Sequence, residues 1–411
     1  MQRVKYSNKM IVFLCTVAYF ASYFSRKTFA VVMVEMLEKS VIDKTTGASI
    51  GVALFVFYGL GQLVSGVLGD KLPPKYLMFA GLMTSGVCNL LLPLVSPPLM
   101  VAVWAVNGFA QALLWPPIVR ILSDKLSHEK YVTANLIVTC GAHVSTILLY
   151  VYAPICIRFM SWQAVFFSSM VFSIVVGIIF LIAMTLVLGK ESIRKKEVSL
   201  ERTESTPIIK TAVSTGIVPV FLAIVAMGFM RDGIESWLPT LYSEEFGVSA
   251  EESILVSVAL PIFSIISLFL VRAIHKKPLF NNEITGSMVL FGISCGLCII
   301  LAVLININDP VIRMVCLILA ALTSACMHST NFLLISCLPG RYAKTGRAAT
   351  VGGVCNACTY VGAAISMYGI AIVSERGWCA TAVLWVAVCV MGIGFCLFAL
   401  SKYTKFLKSN I

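Results

Sequence analysis

Long apolar runs broken at short intervals by clusters of charge set the pattern of this sequence. They fall at about 10–34, 46–69, 76–95, 98–123, 131–157, 162–188, 212–243, 253–271, 284–305, 310–338, 348–373 and 378–401. A helix needs about 20 apolar residues to cross a hydrocarbon core, so the pattern predicts twelve transmembrane helices. The first run follows a basic start, Met1 to Lys9, as the core of a signal peptide would. Its length, its interruption by Arg26 and Lys27 and the lack of a small-residue cleavage site predict a retained span.

Composition removes the competing classes. The 411 residues are 59% hydrophobic and 12% charged, against about 25% charged in an average soluble chain. Twelve short-looped spans leave no room for a sizeable soluble domain, and the expected fold class is an all-α membrane protein. The net charge of +12 would suit a nucleic-acid partner, but position argues otherwise. With both ends in the cytoplasm, 22 Lys and Arg fall on the cytoplasmic side, in the tails and the loops near 71–75, 125–130, 190–210, 272–277 and 341–347. The other side holds Lys39, Lys44, Arg158, Arg313 and Arg376. Such a bias predicts cytoplasmic termini, a lipid bilayer as surroundings and no nucleic acid.

The longest polar stretch, GKESIRKKEVSLERTESTPIIK from Gly189 to Lys210, divides the chain. It predicts an N-terminal bundle at 1–188, a cytoplasmic linker at 189–211 and a C-terminal bundle at 212–411, each bundle with six helices. The halves carry signs of a repeat. Arg26 lies in the first helix of one and Arg231 in the first helix of the other, at similar distances from Lys9 and Lys210. Two repeated bundles with a binding site near the bilayer midplane form a known transporter plan.

An arginine inside a span costs about 2.5–3.5 kcal/mol on insertion scales, so it faces protein interior or a wet cavity. Arg231 has Glu235 four residues on, and an i, i+4 pair would neutralise it. Arg26 has no acid before Glu35. The functional reading of both is an anion site, with two guanidinium forks taking opposite sides of a tetrahedral oxyanion. A phosphate monoester carries about −1.5 to −2 at neutral pH, which two arginines nearly balance, although charge alone also admits a dicarboxylate.

Tyr19 and Tyr23 share the helix face of Arg26, while Lys27 is turned about 100° away and reads as a structural charge. His143 and His328 interrupt apolar spans and read as packed side chains, or as donors to an anion or proton carriers. The string Gly292-Ile-Ser294-Cys-Gly296 lacks the strand-to-helix setting of a nucleophile elbow. The pairs Cys295/Cys298 and Cys355/Cys358 lie in spans without neighbouring His and read as packing. No Walker motif occurs. The chain is therefore expected to be no enzyme and to need no cofactor or metal. At the turn after span two, GVLGDK with Asp70 and Lys71 suits a charge contact made in one conformational state and released in another.

The GVLGDK turn, twelve spans and central basic loop resemble the major facilitator superfamily. YFASYFSRKTFA (19–30), LLWPPIVRILSDKLS (113–127), GAHVSTILL (141–149), FMRDGIESWLPTLY (229–242) and TGRAATVGGVCNACTYVGAA (345–364) resemble its organophosphate:inorganic phosphate antiporters. The resemblance covers essentially the whole chain. It implies two pseudo-symmetric six-helix bundles and a substrate site formed by Arg26, Arg231, His143, Tyr19, Tyr23, Tyr58, Gln62 and Tyr360. Asp70, Lys71, Asp232 and Glu235 would act in conformational coupling. Gln62 stands where glycerol-phosphate exchangers have a cavity lysine, span eight lacks their glutamate, and VRAIHKKP lacks the Asp of the repeated turn. The implied activity is exchange of a phosphorylated metabolite, of the sugar phosphate or glycerol phosphate class, for inorganic phosphate, by a monomer in a bacterial cytoplasmic membrane. A proton-driven symporter titrating Glu235, Asp232 or His143, and a sugar-phosphate sensor, remain as alternatives.

Overall fold

A computed structural model describes residues 8–188, 216–274, 277, 280–307, 309–345 and 348–409. The expected linker at 189–211 lies outside them. The described residues are almost all helical, without strands. Eleven of its segments are long and apolar enough to cross a membrane. The first helix, α1 (Asn8–Glu38), is also long enough at 31 residues, but Arg26 and Lys27 interrupt its apolar run.

The chain forms two compact units, Met1–Arg194 with Val248–Pro261, and Lys195–Gly247 with Ile262–Ile411. The N-terminal unit contains α1, α2 (Lys44–Lys71), α3 (Pro74–Leu91), α4 (Pro97–Ala112), α5 (Trp115–Lys125), α6 (His128–Phe159) and α7 (Trp162–Leu188). A short α9 (Ala250–Val256) belongs to this unit and packs on α6 and α1. The C-terminal unit holds α8 (Ile217–Phe246), most of α10 (Ala259–Ile274), α11 (Glu283–Leu304), α12 (Pro310–Asn331), α13 (Ala348–Ser374) and α14 (Trp378–Ser409).

Pairing within the units repeats. In the first, α1 packs on α6 and α3 on α7; in the second, α8 packs on α13 and α11 on α14. Side chains such as Phe159, Val303 and Phe398 stay at least 70% exposed, as lipid-facing positions do. Small residues set the closest approaches. A Cβ on Gly362 of α13 would come 2.0 Å from the Val225 carbonyl oxygen of α8, and one on Gly228 would come 2.2 Å from that of Thr359. Gly108 lets α4 approach the Leu54 carbonyl of α2 in the same way, at 2.3 Å.

Four expected spans are not single regular helices, and the third ends in a 3₁₀ turn over Leu92–Leu94. The fourth breaks between α4 and α5, where Leu113 and Leu114 make i−3 hydrogen bonds to Ala110 and Gln111. Pro116 and Pro117 follow and cannot donate the backbone bonds that would continue α4. The eighth span is split at Ser257 and Val258, just before Pro261. The tenth runs from α12 into a π-helical turn over Phe332–Cys337 and a 3₁₀ stretch over Leu338–Thr345.

Candidate functional site

In the N-terminal unit, Tyr19, Tyr23 and Arg26 lie at i, i+4 and i+7 on α1, one face of the helix. Arg26 is 4% exposed, and its guanidinium carbon sits 4.2 Å from the ring centroid of Tyr58 on α2 and 5.5 Å from that of Tyr23. A cation over a desolvated ring gains about 2 kcal/mol, an appreciable share of the insertion cost. Tyr19 meets Tyr23 edge-on at 5.0 Å and leans on Trp115 at 5.1 Å, which fixes the rings. One turn beyond Tyr58, the Nε2 of Gln62 is buried without a hydrogen-bond partner. Leaving such a donor unsatisfied costs about 1–3 kcal/mol. His143 is buried on α6, which is tied to α1 by a 2.7 Å bond from the Ser145 hydroxyl to the Phe20 carbonyl. Lys27 is half-buried one residue past Arg26.

In the C-terminal unit, Arg231 projects from α8 and is held by two acceptors. Nη1 donates to Asn331 Oδ1 at 2.8 Å and Nη2 to Asp232 Oδ2 at 2.6 Å. The i, i+4 pairing with Glu235 that spacing suggests gives way to this arrangement. Glu235 Oε1 instead lies 2.6 Å from His328 Nε2 of α12. Two rungs therefore join α8 to α12, with Arg231 and Glu235 four apart on one helix and Asn331 and His328 three apart on the other. Tyr360 of α13 is 8% exposed and, like Glu235, within electrostatic reach of Arg231. Asp232 is a direct partner of the arginine.

Each unit thus gathers its own candidates: Arg26 with Tyr19, Tyr23 and Tyr58 in the first, Arg231 with Asp232 and Tyr360 in the second. Asp70 and Lys71 occupy the last turn of α2, and their side chains lie outside the described residues. Ser294 is inside α11, with its hydroxyl buried. Among the described residues no cluster of His, Cys, Asp and Glu could hold a metal ion. Sequence reasoning passed over Asn331, and left His328 without a partner. The available signal was a His and an Asn three residues apart within an apolar run.

The sequence pattern described as Major Facilitator Superfamily matches residues 15–367. A probable hexose phosphate transport protein of Chlamydia trachomatis serovar D is 30% identical over 179 residues, 43% of this chain and 39% of that protein. The glycerol-3-phosphate transporter of Bacillus subtilis strain 168 is 25% identical over 259 residues, 58% of each chain. The membrane sensor protein UhpC of Escherichia coli K12 is 28% identical over 122 residues, 29% of this chain and 28% of the sensor. The matches therefore span between 28% and 58% of these relatives' lengths. A crystal structure of a peptide transporter POT in complex with alafosfalin superposes with a TM-score of 0.74 at 14% identity, covering 96% of this chain and 95% of that one. That likeness shows the fold alone. The chain belongs to the major facilitator superfamily, as an all-α, multi-pass membrane protein related to transporters of hexose phosphate and glycerol 3-phosphate.

Proposed function

We propose that this chain is a secondary transporter that moves a phosphorylated metabolite across the membrane in exchange for inorganic phosphate, by alternating access. The observation that carries the reading is an arginine in the first helix of each half, Arg26 buried against tyrosine rings and Arg231 partly buried and held by Asn331 and Asp232. Guanidinium groups offer planar pairs of donors matched to phosphate oxygens. The names of the relatives point to the same substrate class. His143, Tyr19, Tyr23, Tyr58, Gln62 and Tyr360 complete the binding set in this proposal. Gln62 supports it as a buried donor without a protein acceptor.

Exchange follows from charge. Phosphate brings about −1.5 to −2 elementary charges, which offset guanidinium charge held in low dielectric. The loaded carrier crosses more readily than the empty one, so each passage requires a substrate. Asp232 holds Arg231 until the anion arrives, and Asp70, Lys71 and Glu235 belong to the coupling between states. We place both termini in the cytoplasm, from the basic bias of those loops, and take the working form to be a monomer in a bacterial cytoplasmic membrane.

The test is counterflow. Vesicles loaded with phosphate should take up glycerol 3-phosphate, glucose 6-phosphate or phosphoglycerate, and should ignore the unphosphorylated compounds. Accumulation driven by a pH gradient into phosphate-free vesicles would favour proton symport, for which the Glu235–His328 pair is the titratable candidate. Binding without counterflow would favour a receptor, the role that the name of the UhpC relative carries.

A further inference from the structure

Beside Arg26, six buried polar side chains knit α1, α3 and α4 together. Ser22 and Ser25 come from α1, Ser85 and Asn89 from α3, Asn107 and Gln111 from α4, and none is more than 2% exposed. The Ser22 hydroxyl donates to the Gln111 side-chain oxygen. Gln111 Nε2 donates to Ser25 Oγ at 3.2 Å and Ser85 Oγ at 2.7 Å. Ser85 Oγ donates to Asn107 Oδ1 at 2.7 Å, and Asn89 Nδ2 to the carbonyls of Ser25 at 3.1 Å and Ser85 at 2.9 Å.

Stability alone is a poor reason for such a cluster inside a membrane bundle. Interhelical hydrogen bonds there contribute little on average, because the unfolded chain also finds partners. This cluster also leaves Asn89 Oδ1 and Asn107 Nδ2 without a partner, a cost that apolar packing would not carry. What directional bonds add is a fixed rotation and depth for α1, and the bonds reach the carbonyl of Ser25, the residue just before Arg26. Ser22 lies about 40° around the helix from Arg26. With Cα at about 2.3 Å from the axis and a side chain of roughly 6 Å, a 10° rotation moves the guanidinium by about 1.4 Å. Misplacement of about 1 Å costs on the order of 100-fold in rate where reacting groups must be aligned, and a two-point guanidinium fork on an oxyanion depends on position in the same way.

We infer that this cluster, through Gln111, Ser85 and Asn89, positions Arg26 for the anion. These are positioning residues, and the inference rests on the reading that Arg26 binds phosphate. Gln111→Leu should raise the KM for inorganic phosphate at least tenfold in reconstituted exchange, with kcat within about threefold and the thermal midpoint close to wild type. Ser85→Ala removes one hydroxyl, tests the same point where Gln111→Leu fails to insert, and should raise KM by a smaller factor. Wild-type KM in both variants beside lost exchange in Arg26→Lys would overturn the positioning role alone, as would equal loss of kcat and thermal midpoint with KM unchanged. Wild-type exchange by Arg26→Lys would remove the phosphate reading, and this inference with it.

Discussion

Glu235 and His328 share a 2.6 Å contact between a carboxylate oxygen and a ring nitrogen, on α8 and α12 of one unit. The side chains are 13% and 12% exposed, so each supplies part of the solvation that the membrane interior withholds. Removing one partner of a largely desolvated hydrogen-bonded pair costs more than removing both. His328→Ala should therefore destabilise the purified protein by about 1–3 kcal/mol. The double variant His328→Ala with Glu235→Ala should recover part of that loss. Thermal midpoints of the four proteins, compared as a cycle, measure the coupling.

Arg26 sits 4.2 Å from the ring centroid of Tyr58, and this contact supplies part of its placement. Tyr58→Phe keeps the ring and should weaken phosphate affinity less than Tyr58→Ala, in which loss of the ring alone should cost roughly 2- to 30-fold, the equivalent of about 0.5–2 kcal/mol. Phosphate binding to the detergent-purified variants checks the order.

Gly362 is needed for the approach of α13 to α8. Its missing Cβ would meet the Val225 carbonyl oxygen at 2.0 Å and the Phe229 nitrogen at 2.8 Å, both backbone atoms that no rotamer change can move. Gly362→Ala should lower stability by at least about 1–3 kcal/mol through helix separation. Gly394→Ala in α14, where nothing lies within 4 Å of the added carbon, should be tolerated. Melting curves of the two variants decide.

Asp43 caps α2 by accepting a 2.7 Å hydrogen bond from the Thr46 amide, and hydrogen bonds from Thr46 hold its carboxyl below the ordinary range. The sign is that of a depressed acid. Its contribution is complete above the unfolded-state value and fades as pH falls through the folded-state one. Asp43→Ala should melt earlier than wild type at neutral pH, and the two curves should converge in strong acid. A melting series against pH checks this.

The spans were legible because a bilayer demands long apolar runs, a constraint that hydropathy reads directly. The breaks inside them were not, although Pro116, Pro117 and Pro261 stood beside two of them, because an apolar window does not register whether a helix is continuous. Arg26 and Arg231 showed themselves as charges in the wrong solvent. Their partners were harder to find. Helical spacing offered Glu235 to Arg231, but tertiary packing brings His328 to the glutamate and Asn331 to the arginine. Ser22, Ser25, Ser85, Asn89, Asn107 and Gln111 carried a signal at helical spacing, but neutral polar residues in a span attract less notice than charges.

The most direct test of the central claim is phosphate exchange by Arg26→Lys and Arg231→Lys in reconstituted vesicles. Lysine keeps the charge and loses the fork. Both variants should insert and melt like wild type yet lose nearly all phosphate counterflow. Wild-type exchange by either one would contradict the account.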